Sequence, residues 1–323
     1  MATARSALIV RQGELSAEDA SRVSVAALDR PLEGDAELAV MAVTTGATVL
    51  GAFQRHHGAL PSPPIVRRIS GGAFVRVDRG TLHVVLALAR PAALVACDAR
   101  HIVNRYVRPL LRALTKSGAL AHYFGRDWVS VAKRPVGQVG FAHDSRTGRA
   151  VFEAFVAVTH AFAPAGRASF LGKEPATLEA VTGRSFDLSL LQARIADTYA
   201  AEYERFVEPR PFEPPNGDSA PAPAPAADEP RWAASLDEVI GVVGAGADAS
   251  GQLRLGGDLL ASRDALDRVA SRVAALPDDT ADIERVVGAI VDQELSPTSV
   301  GFDGVRDLAT VRDVLVRARA AAR

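Results

Sequence analysis

The segment Glu208–Arg231, EPRPFEPPNGDSAPAPAPAADEPR, limits the fold more than any other stretch of the chain. Proline and alanine dominate it and no periodic apolar pattern survives, so it reads as a semi-rigid spacer that buries no core. It separates a large region, 1–207, from a small one, 232–323. The chain has 323 residues, 48% of them apolar. That is enough for two cores at roughly 100–200 residues per domain.

In the large region, Ser16–Ala27 reads as a helix with Ser16 as its N-cap. Ala47–Gln54, Ile65–Ile69, Ala73–Val77 and Thr81–Leu88 read as strands. Asp98–Lys116 carries Ile102, Val103, Tyr106, Val107, Leu110, Leu111 and Leu114 at helical spacing and stops before Gly118. Pro109 inside this run predicts a break or kink. Trp128–Val131 and Gly137–Phe141 read as strands. HDSRTGR, His143–Arg149, reads as an exposed turn leading to a strand at Ala150–Val158. Pro175–Thr182 and Leu188–Phe206 read as helical. The small region shows strands at Glu238–Val243 and Gly251–Leu255, then three helices. The pattern predicts an α+β fold: a mixed β-sheet domain followed by a small α/β domain. Apart from the first helix, residues 1–40 carry little signal.

Formal net charge is −1 and the pI near 6.7, which gives no electrostatic footprint for nucleic acid. No run of about 18 apolar residues exists to span a membrane, and the N-terminus lacks a signal-peptide pattern. These features predict a cytoplasmic protein. A single cysteine, Cys97, excludes an internal disulfide and a multi-cysteine metal site. It reads as a buried small residue, and His56–His57 as a loop pair. The basic residues are nearly all arginine: Lys116, Lys133 and Lys173 are the only lysines.

The most informative stretch is RRISGGAFVRVDRGTL, Arg67–Leu82. Gly71 and Gly72 permit positive φ and let backbone N–H groups approach a ligand. A neighbouring arginine such as Arg68 can grip a phosphate or carboxylate through paired hydrogen bonds. The segment matches neither GxxxxGK[ST] nor GxGxxG.

It does resemble the lipoate–protein ligase signature RRxSGGGxVxHDxGxL. Arg67, Arg68, Ser70, Gly71, Gly72, Val75, Asp78, Gly80 and Leu82 fall on nine matching positions of sixteen. Ala73 replaces the third glycine and Val77 the histidine. Upstream, Gly51 and Gln54 match the family's GxxQ strand. Downstream, Gly125, Arg126 and Gly137 match a GRND…KISG region, where Arg134 takes the lysine position and Lys133 stands one residue earlier. The family's HHGTLL-like strand corresponds to Val151–Val158, with Glu153 near the lost histidine. In the small region, Gly257 and Asp258 match the GD of the family's accessory domain, and Leu259 and Leu260 replace two phenylalanines.

The resemblance implies the biotin/lipoate ligase type of catalytic domain. It implies ATP- and Mg²⁺-dependent activation of lipoate, or a related acid, to an acyl-adenylate. The acyl group would then pass to a lysine of a lipoyl domain of 2-oxoacid dehydrogenases or of the glycine-cleavage carrier protein. Arg68, Ser70, Gly71 and Gly72, with Asp78, Gly80 and Gly137, would line the adenylate site, and Arg134 or Lys133 would stabilise the α-phosphate. The departures leave two alternatives: a degenerate paralogue that binds acyl groups or carrier proteins without activating them, and a ligase for another acid such as biotin.

Overall fold

The computed structural model describes residues 7–56, 64–162, 172–212, 229–238 and 240–322. The chain opens with β1 (Ala7–Ser16), α1 (Ala17–Asp29), β2 (Ala36–Thr45), β3 (Ala47–Leu50), β4 (Ile65–Arg67), β5 (Val75–Val77) and β6 (Thr81–Leu88). There follow α2 (Ile102–Lys116), β7 (Ala121–Tyr123), β8 (Trp128–Val131), β9 (Arg134–His143), β10 (Ala150–Ala157), α3 (Leu178–Thr182), α4 (Leu188–Glu202) and β11 (Phe206–Arg210). The small region holds β12 (Ala234–Asp237), β13 (Val242–Ala247), β14 (Leu253–Gly257), β15 (Leu260–Ala261), α5 (Arg263–Ala274), α6 (Ile283–Leu295), β16 (Phe302–Asp303) and α7 (Leu308–Ala321).

Eight strands form one mixed sheet in the order β11-β1-β2-β6-β10-β9-β8-β7. β1 pairs in parallel with β2 and β11, and the other neighbours are antiparallel. The architecture is α+β, as the sequence predicts. One face of the sheet packs on α2 and α4 through Leu86, Leu110, Leu114, Phe152, Ile195 and Tyr199. The other face carries α1 and a small sheet of order β4-β3-β5. The glycine segment joins β4 to β5, so it lies on the α1 face. In the small region a three-stranded sheet and a β15–β16 ribbon pack on α5, α6 and α7 around Val269, Val287, Val291, Val311 and Leu315.

Several sequence-based boundaries move. β1 and the first half of β2 lie in the stretch that carries little signal. β2, AELAVMAVTT, is buried on both faces over Ala36–Val43, so no alternation marks it as a strand. β9 starts at Arg134, three residues before the expected Gly137. Phe206 is the first residue of β11 and lies outside α4, and this edge strand takes Glu208–Arg210 from the spacer. An edge strand tolerates Pro209. Residues 213–228 of the spacer lie outside the described residues. The expected strand Glu238–Val243 is interrupted at Gly241, whose φ of 142° closes a turn onto Glu238. His143 is buried, its Nδ1 at 2.9 Å from Ser262 Oγ, because the small region covers the end of β9.

The expected break at Pro109 does not occur, and α2 runs unbroken from Ile102 to Lys116. Proline leaves the carbonyl four residues earlier without its helical donor. That carbonyl belongs to Arg105, and the Tyr203 hydroxyl of the Glu202–Phe206 connection donates to it at 3.4 Å. Tyr203→Phe is expected to cost about 1 kcal/mol in urea denaturation. In a Pro109→Ala background, where a backbone N–H replaces the donor, the cost should largely vanish. An equal cost in both backgrounds would sink this account.

Candidate functional site

Ser70–Ala73 is pressed between β9, the turn after β3 and the segment before β15. A Cβ on Gly71 would stand 2.1 Å from the Leu259 carbonyl oxygen, and one on Gly140 2.9 Å from the Gly71 oxygen. Both positions therefore require glycine, and β9 meets the loop at Gly140.

The loop's amides are committed within the chain. Gly71 N–H donates to the Phe141 carbonyl at 3.2 Å and Gly72 N–H to the Leu259 carbonyl at 2.8 Å. Ser70 donates from N–H and Oγ to Glu153 Oε2, at 3.4 and 2.5 Å. Arg68 is 2% exposed. Its Nε reaches the Ser70 and Gly71 carbonyls at 3.3 Å, Nη1 the Gln138 Oε1 at 3.2 Å, and Nη2 the Gly71 and Ala73 carbonyls at 2.7 and 3.0 Å. Gln138 Nε2 donates to the Ala73 carbonyl at 2.7 Å and faces Asp127 Oδ2 at 3.5 Å. The guanidinium thus curls the loop around itself.

Beneath it lies a buried row of polar groups. His83 Nε2 is 2.7 Å from Glu153 Oε1, and the imidazole stacks on Phe155 at 4.2 Å. Burial pushes Glu153 up, but contact with His83, the Arg68 charge and the Ser70 hydrogen bond outweigh it and hold the carboxyl below its usual range. Burial lowers Arg68, against the pull of Glu153, Asp127 and Asp258. Burial raises Asp127 to about 6, against the Gln138 hydrogen bond and Arg68. Ser70, Glu153 and His83 do not form a nucleophilic triad, since the carboxylate, not the imidazole, stands next to the hydroxyl.

The small region closes the site. Gln54 accepts from Gly51 N–H at 2.8 Å and donates to Asp258 Oδ1 at 2.5 Å, so two residues singled out in the sequence meet across the two regions. Gly257 N–H donates to the Phe53 carbonyl at 2.8 Å. Arg67 secures the same turn, donating to Gly51 at 3.1 Å and pairing with Glu229 at 3.0 Å.

Not every expected residue arrives. Arg68, Ser70, Gly71 and Gly72 come together. Asp78 and Gly80 sit in the β5–β6 turn, away from the loop: Asp78 is exposed and its Oδ1 accepts from Arg79 N–H at 2.8 Å, while Gly80, at φ 89°, is buried against Thr159. Gly137 lies in β9, where a Cβ would meet the Phe155 carbonyl at 2.9 Å, away from the loop. Lys133 and Arg134 correct the expectation most. Ala132 and Lys133, at φ 48° and 65°, form the tip of the β8–β9 hairpin, and Arg134 is tied to the Glu174 and Pro175 carbonyls at 3.4 and 3.0 Å. From Arg134 to Gly140 the strand advances about 20 Å, so neither cation reaches the loop. All three lysines are exposed.

The side chain β9 does present is the uncharged Gln138. Together with Gly140 and His83 it escaped the sequence reading, whereas Asp127 stands beside the Gly125–Arg126 match. The signal that finds them is the period-two step of β9: once Gly140 abuts the loop, Gln138 shares its face. In this closed arrangement the site offers ATP few free donors. The loop amides and Arg68 are spent internally and no lysine is at hand.

Two substitutions test this geometry. The folded protein keeps the Asp127 proton to about pH 6, whereas the unfolded chain releases it near 3.8. The buried charge therefore costs stability that is absent below the lower value and complete above the higher. Asp127→Asn should leave stability at pH 4 nearly unchanged and raise it at pH 7 by at most about 3 kcal/mol in urea denaturation. Equal effects at both pH values would refute this. Gly71→Ala should push the small region off the loop, seen as faster amide exchange over residues 255–261 with α2 unaffected. Unchanged exchange there would show that the contact is not tight.

No protein-family model and no curated protein matches the sequence. Solved structures do match. The LipL1 protein of P. falciparum, solved in complex with lipoate, superposes with a TM-score of 0.64 at 11% identity, over 88% of this chain and 99% of that one. A bipartite lipoate protein ligase from Thermoplasma acidophilum, studied with its E2 lipoyl domain, gives 0.51 at 13% identity, over 64% of this chain and 88% of that one. Among the described residues no helix is long and apolar enough to cross a membrane. This chain has the fold of these lipoate-binding and lipoate-ligase structures, at low sequence identity to them.

Proposed function

We propose that this chain is a non-activating relative of the lipoate–protein ligases, one that binds a lipoyl-type carrier domain without forming an acyl-adenylate. One observation carries the reading. The groups that would hold an adenylate, Arg68 and the Ser70–Gly72 amides, are hydrogen-bonded within the chain, and the β9 side chain beside them is the neutral Gln138. Phosphoryl chemistry needs positive charge placed where negative charge develops in the transition state, and here the Arg68 guanidinium is already engaged on loop carbonyls. A carrier as partner rests on the fold, which a ligase studied with its E2 lipoyl domain shares. Lipoyl domains of 2-oxoacid dehydrogenases and the glycine-cleavage carrier are the candidate ligands.

A second reading has its own support. Similarity to the lipoate complex of LipL1 runs over both regions of the chain. The small region bonds the loop itself through Gly72 to Leu259, while Gln54–Asp258 and Gly257–Phe53 tie it to the neighbouring turn. If that region swung aside, the Gly72 amide would be freed for an acyl-adenylate made from lipoate, or from another acid such as biotin, with ATP and Mg²⁺.

One experiment separates them. The protein is incubated with ATP, Mg²⁺ and lipoate, then with biotin and octanoate, and pyrophosphate is measured. Binding of an unmodified lipoyl domain is measured by calorimetry. The expected result is no acid-dependent pyrophosphate and saturable carrier binding. Pyrophosphate release that Arg68→Met abolishes, and that Lys133→Ala and Arg134→Ala leave intact, would replace this reading by the ligase reading. Absence of carrier binding would refute the proposal outright.

A further inference from the structure

On the opposite face of β9 from the glycine loop lies a cleft of about 350 Å³. Gln138 and Gly140 face the loop, whereas Phe141 joins the α2-side core and lines the cleft. The large region contributes Arg100, His101, Asn104 and Tyr123, and the small region Leu260, Phe302 and Asp303. A smaller hollow of about 40 Å³ adjoins it, sharing Gly125, Leu260 and Asp303 and adding Arg126. The space therefore lies on the seam between the two regions.

Its chemistry is specific. Arg126 holds its guanidinium 6.0 Å from the Trp128 ring centroid, and its buried Nη1 has no hydrogen-bond partner among the described residues. That atom is closed to solvent, so Arg126 offers the hollow its charge and the rest of its guanidinium and not this donor. Arg100 spends one donor on the Ser296 carbonyl at 2.9 Å. His101 Nδ1 is held by Asp98 at 2.6 Å, which leaves Nε2 unengaged by that contact. Asp303 is the one acid in the lining, against Arg100, His101 and Arg126. Tyr123, Phe141 and Phe302 supply aromatic surface. The volume exceeds what bare phosphate fills and sits at the small end of ligand pockets, roughly 300–1,000 Å³.

The cleft and the glycine loop share a strand segment. Leu259 caps the Gly72 amide through its carbonyl, and Leu260, the next residue, lines the cleft. Leu260 pairs with Asp303 and Ala261 with Phe302 in the β15–β16 ribbon, so two further lining residues are tied to the same segment. We propose that this cleft binds a small organic phosphate, a phosphomonoester carried on a flat ring, and that its occupant locks the Leu259 carbonyl over the glycine loop. The phosphate sits between Arg126 and Arg100, and the ring against the aromatic wall. Bound ligand bridges both regions and slows the separation that would expose the Gly72 amide.

The test uses the full chain and phenyl phosphate, with inorganic phosphate and phenol as the two halves of the probe. Binding is followed by calorimetry and thermal shift, and backbone exchange by mass spectrometry over residues 68–75. Phenyl phosphate should bind more tightly than either half, raise the melting temperature and slow exchange in that peptide. Arg126→Met should weaken binding about tenfold or more. Asn104→Leu, on the exposed face of α2, narrows the cleft without removing a buried group, and should also weaken binding if the first variant folds poorly. Failure of phenyl phosphate to bind, or equal binding by wild type and both variants, would overturn the site. Equal affinity for inorganic phosphate would overturn the ring requirement. Binding without slower exchange would overturn the coupling to the loop.

Discussion

The fully buried Arg68 guanidinium holds the site together. It satisfies three loop carbonyls that no strand ladder reaches, and it is itself satisfied by them and by Gln138. A charge so deep is tolerated only when paired and hydrogen-bonded. Glu153 and Asp127 provide the opposing charge, and Glu153 in turn fixes Ser70 and His83. Removing the guanidinium would leave carbonyls and carboxylates unpaired in one small volume. The same engagement that shapes the loop uses up the donors that a phosphate would need.

The sheet separates two kinds of chemistry by a single-residue step. Along β9, Gln138 and Gly140 face the loop, while Val139 and Phe141 face α2. The first face meets a buried polar network and the second a cleft with a basic, aromatic lining. The small region touches both through consecutive residues, Leu259 and Leu260. Its strands and helices have their own core, so it reaches the large region as a unit.

The chemistry departs from the expectation where a cation is needed. A hairpin turn closes at Ala132–Lys133 and carries both basic candidates to an exposed tip. Gly140, six residues beyond Arg134, is where β9 meets the loop, and two residues before it stands an amide that donates and accepts but carries no charge. An amide suits a closed hydrogen-bonded network, because it satisfies Arg68 and Ala73 together without adding repulsion beside the guanidinium.

Local sequence fixes much of this molecule. The helical stripe of α2, the Ser16 N-cap, the polar turn before β10 and the three helices of the small region are set by spacing and by turn chemistry, which act over a few residues. The glycine loop and its arginine are equally legible, because only glycine tolerates such close approach. Tertiary structure decides the rest. β2 is buried on both faces and shows no alternation, and α2 passes through Pro109 because Tyr203, from a distant connection, replaces the lost donor. The spacer yields Glu208–Arg210 to the sheet because β1 has an open edge. Which β9 residue faces the loop depends on where the hairpin turns, and a shift of one residue exchanges the faces. Whether the loop amides meet a ligand or the chain's own Leu259 depends on contacts nearly two hundred residues apart in sequence, which no local pattern encodes.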